Sequence, residues 1–273
     1  MLYHGVNAGN SISTSADKNL DNWNKLPANP IIPNPPPGAP YASWDPHGWL
    51  EGDTYYGIFG GTRPSIFKAK ELDKWEYVGD LLAHAVPGVD IHEDISCPDL
   101  FKLGDKYVLV CISHRLGCRY YIGEWKNEQF YPEFHEQISW VDNAFFAPES
   151  LEDDKGRRIM WAWIFDSNAV ISRNSSGWSG VMNLSRVLSL DKDGKLLMQP
   201  IEELERLRHN EQNLKDLKIN TDTEYMLDQI QGNIIELLVE MVTDGAKQCG
   251  IKVCCSPDGT EQTLITMMPS NPY

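Results

Sequence analysis

The sequence predicts an all-β protein of the β-propeller type, and three observations support this fold class. Short runs rich in aromatic and β-branched residues alternate with turn residues, as in TYYGIFGG (54–61), YVLVCIS (107–113) and RIMWAWIF (158–165). Long helical periodicity is scarce, and PIEELERLRHNEQ (200–212) is the best helix candidate. A weak repeat of about 50 residues runs through the first two thirds of the chain, which is typical of four-stranded propeller blades.

The repeat can be followed from the turns that separate its strands. The segments DKNLDNW (17–23), KELDKW (70–75) and KNEQF (126–130) occupy the same place in successive units. We therefore expect the later strands of one blade, followed by three whole blades. The predicted blade segments are 1–30, 42–82, 95–134 and 143–200.

The chain is predicted to divide into three parts. Residues 1–200 form a partial propeller in which about four blades are present. Residues 201–215 form a linker helix, because a proline and an acidic first turn open it. Residues 216–273 form the start of a C-terminal β-sandwich. Its strand-like segments are 218–230, 233–243 and 249–266.

Charge and cysteine content exclude several classes of partner. The net charge of −15 and the pI of about 4.8 create a field that repels phosphate groups, so nucleic acid and anionic membrane surfaces are poor partners. No apolar run reaches about 18 residues, and MLYHGVNAGN lacks the pattern of a signal peptide, so we expect a cytoplasmic protein, or a secreted one if a further segment precedes Met1. The six cysteines form no CxxC pair and no zinc-like cluster, which predicts reduced thiols, no metal and no cofactor.

The first candidate site residue is an acid at the start of a predicted inner strand. YASWDPHGW places Asp45 beside Trp44 and before His47 and Trp49. An acid among large aromatic side chains suits a sugar site, because sugar rings present apolar faces to aromatic rings. Ordinary turn capping by Asp45 is the alternative interpretation.

A second group of acids follows one repeat later. HEDISCPDLF places Glu93, Asp94 and Asp99 around Cys97. Strand alternation puts Asp94 and Ser96 on one face. Turn chemistry is again the alternative.

The next repeat brings another acid to the start of its first strand, Glu149 in FFAPES. Because the inner strands of a propeller converge on its axis, we expect Asp45, Glu93 or Asp94, and Glu149 to occupy equivalent places and to meet in an acidic funnel. Paired carboxylates around a sugar are what glycoside hydrolysis requires. Phosphoryl transfer has no support, since there is no glycine-rich phosphate loop and no basic cluster.

These motifs resemble those of glycoside hydrolase family 32, which includes invertases, inulinases and levanases. Trp44-Asp45-Pro46 resembles the family's Arg-Asp-Pro motif, and Ser96-Cys97-Pro98-Asp99 resembles its Glu-Cys-Pro-Asp motif. FFAPES resembles its Phe-Tyr-Ala-Ala-Gln region, with Glu149 where Gln is usual. The resemblance is close over 1–215 and looser over 216–266.

The resemblance implies a five-bladed propeller that hydrolyses O-glycosidic bonds of fructose-containing sugars with retention of configuration. Such an enzyme uses a nucleophile, a transition-state stabiliser and an acid/base, and Asp45 matches the stabiliser. The substrate would be a small molecule or an oligosaccharide, such as sucrose or a fructan. The substrate-binding residues that the motifs imply are Trp44, His47, Trp49, Asp99, Phe146, Glu149 and Trp163.

Two departures from the family pattern bear on activity. The family's Trp-Met-Asn-Asp-Pro-Asn-Gly segment, which carries the nucleophile, has no counterpart here, so Met1 corresponds to the second blade and catalysis by this chain alone is not expected. Ser96 stands in place of the acid/base Glu and cannot protonate a leaving oxygen. Glu93 and Asp94 are the candidate catalytic replacements, with Glu93 slightly favoured for its longer reach.

Two other functions stay open at this point. The chain could be a non-catalytic propeller that holds fructosides without cleaving them. It could also be a related furanosidase that acts on arabinosides.

Overall fold

The structure is a computed structural model, and it describes residues 1–5, 7–139, 144–166, 177–232 and 234–267. The chain divides into two compact units, Met1–Ile201 and Glu202–Tyr273. The predicted blade segment 143–200 includes residues 143 and 167–176, which lie outside the described residues. So do residues 233 and 268–273 of the predicted sandwich.

The first unit begins with a small sheet and a regular blade. The small sheet has three antiparallel strands in the order β1-β2-β3: β1 (Leu2–Gly5), β2 (Gly9–Thr14) and β3 (Asn24–Lys25). The first blade is a four-stranded antiparallel sheet in sequential order: β4 (Pro46–Glu51), β5 (Thr54–Phe59), β6 (Ser65–Ala69) and β7 (Trp75–Asp80).

Two further sheets repeat this plan. The second blade contains β8 (Ser96–Leu103), β9 (Lys106–Ser113), β10 (Gly117–Lys126) and β11 (Gln129–Gln137). The third blade contains β12 (Phe145–Glu152), β13 (Arg158–Ile164), β14 (Val181–Met182), β15 (Arg186–Leu190) and β16 (Leu196–Pro200). Its main order is β12-β13-β15-β16, with β14 paired to β13. The predicted all-β fold with propeller blades is confirmed.

The blades pack face to face through the alternation of side chains along their strands. On β9, Leu109 and Cys111 point into a core shared with the first blade, where Ile58 and Ile66 lie. The intervening residues Val108, Val110 and Ile112 point the other way. They join a second core with residues of the third blade, including Met160, Ala162 and Leu188. A strand that is buried on both faces thus holds three successive blades together.

The second unit, described by itself, contains less regular structure than the sequence predicts. A 3₁₀ helix spans Glu202–Leu207 and buries no residue, whereas the sequence predicts a helix over 200–212. A longer helix would need an apolar face packed against other elements. Two antiparallel strands follow, β17 (Cys249–Val253) and β18 (Thr263–Met267).

The other two strand-like segments of this unit, 218–230 and 233–243, have no strand among their described residues. Ile234, Leu238 and Val242 in the second of them are almost fully exposed. A strand persists only where a neighbouring strand satisfies its backbone groups, and these segments have no such neighbour in the described chain.

Two features of the whole chain complete the description. Within the described residues, no helix is both long enough and apolar enough to cross a bilayer. All six cysteines are described and all are free thiols.

Candidate functional site

The first strands of the three blades, β4, β8 and β12, bring a proline and a polar residue to the same place. The pairs are Pro46-His47, Pro98-Asp99 and Pro148-Glu149. In β8 the strand register shifts between Ser96 and Asp99, and in β12 it shifts between Phe146 and Glu149.

Both shifts are β-bulges, and each contains a residue with positive φ. Cys97 has a φ of 45° and Ala147 a φ of 48°. A bulge re-aims the side chain that follows it. Asp99 and Glu149 are therefore turned in the same way on neighbouring blades, and His47 holds the matching position on the first blade.

His47, Asp99 and Glu149 meet in one cluster, which we call the axial cluster. One nitrogen or oxygen atom from each lies within 4.8 Å of the others. The sequence interpretation placed Glu93 or Asp94 at the position equivalent to Glu149. In the structure, Asp99 lies at that position. The reason is the bulge at Cys97, which lets the strand accommodate one extra residue.

Asp99 is completely buried, and its two carboxylate oxygens have different surroundings. Oδ2 accepts a hydrogen bond of 2.5 Å from Ser150 Oγ. Oδ1 lies 3.5 Å from Nδ1 of His47 and has no hydrogen-bond partner among the described residues. Sequence reasoning missed Ser150, whose only signal is its place next to Glu149 in the third repeat.

The ring of His47 is oriented by a backbone carbonyl. Its Nε2 lies 3.1 Å from the carbonyl oxygen of Leu100, which can only accept a hydrogen bond, so Nε2 carries the proton of the neutral ring. Burial lowers the pKa of His47, although the Asp99 carboxylate acts in the opposite direction. In the neutral ring, Nδ1 therefore presents a lone pair to Asp99.

Glu149 is the most strongly perturbed acid of the cluster. Its pKa is raised to about 8, first because its carboxyl has lost hydration and then because Asp99 and Asp45 lie nearby. By surface accessibility Glu149 is an exposed residue. The neighbouring carboxylates of Asp99 and Asp45 disfavour a further negative charge at this position.

Asp45 lies immediately before β4 and is tied to the second blade. Its Oδ2 accepts a hydrogen bond of 3.0 Å from the backbone N–H of Cys97 and lies 3.5 Å from the Cys97 thiol. Burial and then the negative charge of Asp45 raise the pKa of that thiol. The residue itself is half-buried, so its carboxylate is fixed in orientation yet reachable.

Glu93 and Asp94 are adjacent in sequence but lie in different environments. Glu93 is buried, and it accepts hydrogen bonds from Ser113 Oγ at 2.5 Å and from Arg115 Nε at 3.1 Å. Burial raises the pKa of Glu93, but these donors outweigh it and hold the pKa below its usual range. Glu93 is therefore locked as a carboxylate in a structural ion pair.

Asp94 is held by three donors at a partly open position. Its Oδ1 accepts a hydrogen bond of 2.8 Å from Ser96 Oγ. Its Oδ2 accepts from the backbone N–H of His114 at 3.0 Å and contacts His114 Nδ1 at 2.5 Å. These donors fix the carboxylate next to Ser96.

Aromatic side chains near the acids fall into two groups. Phe146 contacts the rings of His114 and Trp163, and Trp163 lies 4.5 Å from Phe165 between ring centroids. Trp163 is 38% exposed, as is typical of a ring available for stacking.

Trp49 belongs to the second group. It stacks on Tyr56, packs edge-on against Trp125 and contacts the core between the first two blades. Its ring also lies 5.8 Å from that of His47. Trp44 has a 52% exposed side chain beside Asp45.

Comparison with known proteins gives one family. The sequence model of the glycosyl hydrolases family 32 N-terminal domain matches residues 5–200. The sucrose-6-phosphate hydrolase of Escherichia coli is 28% identical over 243 residues, which are 82% of this chain and 49% of that protein. The fructan 6-exohydrolase of Beta vulgaris is 30% identical over 254 residues, which are 77% of this chain and 41% of that protein.

Solved structures share the fold. Fructan 1-exohydrolase IIa from Cichorium intybus superposes with a TM-score of 0.63 at 23% identity, covering 77% of this chain and 45% of that one. A β-fructofuranosidase of Bombyx mori gives a TM-score of 0.60 at 23% identity, covering 74% of this chain and 46% of that one. The chain spans about half the length of the curated relatives it matches.

Proposed function

Because the chain belongs to glycoside hydrolase family 32, we propose that it serves the hydrolysis of O-glycosidic bonds in fructose-containing sugars by a retaining carboxylate mechanism. The observation that carries the proposal is the meeting of acids from three successive blades around Asp45, Asp99 and Glu149. Relatives named as sucrose-6-phosphate hydrolases and fructan exohydrolases support the same class of substrate.

Asp45 is the proposed transition-state stabiliser. The N–H of Cys97 anchors one of its oxygens, which fixes the plane of the carboxylate. As the bond to the leaving group breaks, positive charge develops on the furanose ring, and a preoriented carboxylate lowers the energy of that state. The half-buried position strengthens this interaction, because fewer waters screen it.

Asp94 is the proposed acid/base, in preference to Glu93. The carboxylate oxygen of Asp94 lies 2.8 Å from Ser96 Oγ, about where a longer acidic side chain at position 96 would carry its own carboxyl. In the first step Asp94 gives its proton to the glycosidic oxygen as the bond to the anomeric carbon breaks, while a nucleophilic carboxylate, which the family carries in the segment without a counterpart here, bonds to that carbon. In the second step it accepts a proton from the attacking water. The ion pair of Glu93 with Arg115 argues against a proton-transfer role for Glu93.

The exposed aromatic group of Phe146, Trp163 and Phe165 is the proposed platform for the sugar. Phe146 contacts His114, which in turn pairs with Asp94, so a ring stacked there would present its glycosidic oxygen to the acid. Trp44 lies beside Asp45 with its side chain exposed and offers a further apolar surface.

The test is a set of hydrolysis assays on sucrose, 1-kestose, inulin and arabinan, with calorimetric titration of fructose in parallel. We expect release of fructose from a chain extended by the family's nucleophile-bearing segment and little or none from this chain alone. In the extended chain, Asp45→Asn should lower the rate about 10²–10³-fold while the melting temperature changes little. Fructose binding without release would instead favour the binding-module function. Arabinose release would favour the arabinoside-specific furanosidase. An unfolded Asp45→Asn variant would make Asp45 a structural residue.

A further inference from the structure

We propose that the axial cluster is a binding site for a divalent first-row transition metal ion, with Zn²⁺ as the best-fitting example. The ligands are Nδ1 of His47, Oδ1 of Asp99 and a carboxylate oxygen of Glu149, one from the first strand of each blade. This site shares Asp99 and Glu149 with the proposed catalytic funnel, but metal binding itself does not require that the chain hydrolyses a sugar.

The hydrogen bonds around the cluster leave two acceptors facing each other. The carbonyl oxygen of Leu100 accepts a hydrogen bond from Nε2–H of His47, so Nδ1 of the neutral ring offers a lone pair. Ser150 Oγ donates a hydrogen bond to Oδ2 of Asp99. Oδ1 of Asp99 is buried and accepts no hydrogen bond in the described part of the chain. A buried acceptor without a donor is unfavourable by about 1–3 kcal/mol, so a positively charged group between Nδ1 and Oδ1 is favoured.

The spacing of these atoms suits a tetrahedral metal ion. Two ligands that each lie about 2.1 Å from zinc in a tetrahedral arrangement are about 3.4 Å apart. His47 Nδ1 and Asp99 Oδ1 are 3.5 Å apart. The third ligand atom lies within 4.8 Å, and Glu149 has a long, partly exposed side chain that can rotate to close this gap.

The charge and the type of the donors favour the same ion. Two carboxylates, with Asp45 as a third nearby, give the cluster an excess of negative charge. Arg158 is the basic side chain that acts on His47, and its guanidinium lies over the ring of Phe101. One imidazole with two carboxylates is a mixed donor set that zinc and similar ions accept more readily than Ca²⁺ or Mg²⁺, which prefer oxygen alone.

The local structure explains why the ligands are already in place. The bulges at Cys97 and Ala147 aim Asp99 and Glu149 toward the same point, and Leu100 fixes the ring of His47. Second-shell hydrogen bonds of this kind orient metal ligands and raise affinity. Because the ligands come from three blades, binding should also resist the separation of the blades.

The experiment uses the whole chain, freed of metal by a chelator and gel filtration. Zinc is titrated by calorimetry, the melting temperature is recorded with Zn²⁺, Mn²⁺, Ca²⁺ and Mg²⁺, and Co²⁺ is added to record its visible absorption. We expect one zinc per chain, the largest rise in melting temperature with Zn²⁺, and Co²⁺ bands of a low-coordinate site.

Glu149→Gln and Asp99→Asn should each weaken zinc binding at least tenfold and abolish the cobalt bands. Glu149→Gln keeps the size of the side chain, so it is the variant expected to fold normally. His114→Gln and Asp94→Asn are the matched controls, because they alter a second histidine–aspartate pair that has no Glu149 beside it, and their zinc affinity should stay within twofold of the unsubstituted chain.

Two results would overturn the proposal. One is the absence of zinc binding by the folded, unsubstituted chain. The other is zinc binding that persists unchanged in both Glu149→Gln and Asp99→Asn, which would assign the metal to other surface groups. Anomalous scattering from a zinc-soaked crystal should give a peak between the three ligands, and a peak elsewhere has the same consequence.

Discussion

Two histidine–aspartate pairs lie near the axial cluster or next to β8 and β9, and they differ in what surrounds the carboxylate. In the pair of His47 and Asp99, the carboxylate is fully buried. Its Oδ1 lies 3.5 Å from Nδ1 of His47 and accepts no hydrogen bond from the described residues. In the pair of His114 and Asp94, the carboxylate is 14% exposed and accepts three hydrogen bonds.

The difference separates two uses of the same pair of residue types. An acid that is held by donors and reached by solvent can exchange a proton with a bound substrate. A buried carboxylate that faces another acceptor keeps an unused lone pair, which suits a cation. Asp94 precedes the bulge in β8 and Asp99 follows it, so the two carboxylates lie on opposite sides of that irregularity along the chain.

The largest expected effect is on catalysis, and it comes from changing Asp94 in the pair that solvent reaches. If Asp94 is the acid/base, Asp94→Asn should lower kcat/KM for sucrose about 10²–10⁴-fold, because the amide cannot protonate the glycosidic oxygen. An aryl β-fructofuranoside with a nitrophenol leaving group should lose much less, since nitrophenolate departs without a proton. Steady-state assays of both substrates, on the chain extended by the nucleophile-bearing segment, provide the measurement.

Glu93→Gln is the control for this effect, since it alters the adjacent carboxylate. We expect it to change kcat/KM less than tenfold, because the ion pair with Arg115 keeps Glu93 away from proton transfer. Equal and mild losses in both variants would place the acid elsewhere in the funnel, with Glu149 or Asp99 as the next candidate.

The second effect is on stability and concerns Glu93 itself. Glu93→Gln leaves Arg115 and Ser113 without their carboxylate acceptor, and we expect the free energy of unfolding at pH 7 to fall by about 1–3 kcal/mol. Because the pKa of Glu93 is held below the ordinary value of 4.5, its charge stabilises the fold above that value.

This stabilisation should be lost as the pH falls through the lowered pKa of Glu93, so the two proteins should become similar in acid. Urea unfolding at pH 7 and at several values below pH 4.5 tests both statements. A stability difference that stays constant with pH would contradict the role of the Glu93 charge.

The fold was largely predictable from the sequence, because the alternation of side chains along a strand predicts which residues share a face. The two faces of β9, with Leu109 and Cys111 on one and Val108 and Val110 on the other, follow directly from a period of two. The second unit was less predictable, since strand-like composition does not supply a partner strand.

The sequence singles out acids near the starts of the repeats but does not give their arrangement. It predicted that Asp45, Glu93 or Asp94, and Glu149 would meet, whereas the structure brings Asp99 to Glu149. Which of them share a position depends on the bulges at Cys97 and Ala147, and no simple sequence pattern signals a positive φ at those residues. The recurrence of proline followed by an acid at Asp99 and Glu149 is the signal that, in retrospect, aligns the two blades.

The smallest expected effect is on stability. The same Asp→Asn substitution, made in each pair in turn, should change the free energy of unfolding in opposite directions. In metal-free protein, Asp99→Asn places an amide donor toward Nδ1 of His47 while its oxygen still accepts from Ser150, so a facing pair of acceptors becomes a hydrogen bond. We expect the free energy of unfolding to rise by about 1 kcal/mol. Asp94→Asn turns an amide donor toward Ser96 or His114, which are themselves donors. This substitution should lower the free energy of unfolding by a similar amount.

Denaturant unfolding in the presence of a chelator measures both changes on one scale. A loss of stability in Asp99→Asn would mean that the facing acceptors are already bridged, by a proton on His47 or on Glu149, in the metal-free protein. A gain in Asp94→Asn would mean that its donors are satisfied without the carboxylate. Opposite signs would show that burial and donor supply, rather than the residue types, separate the two histidine–aspartate pairs.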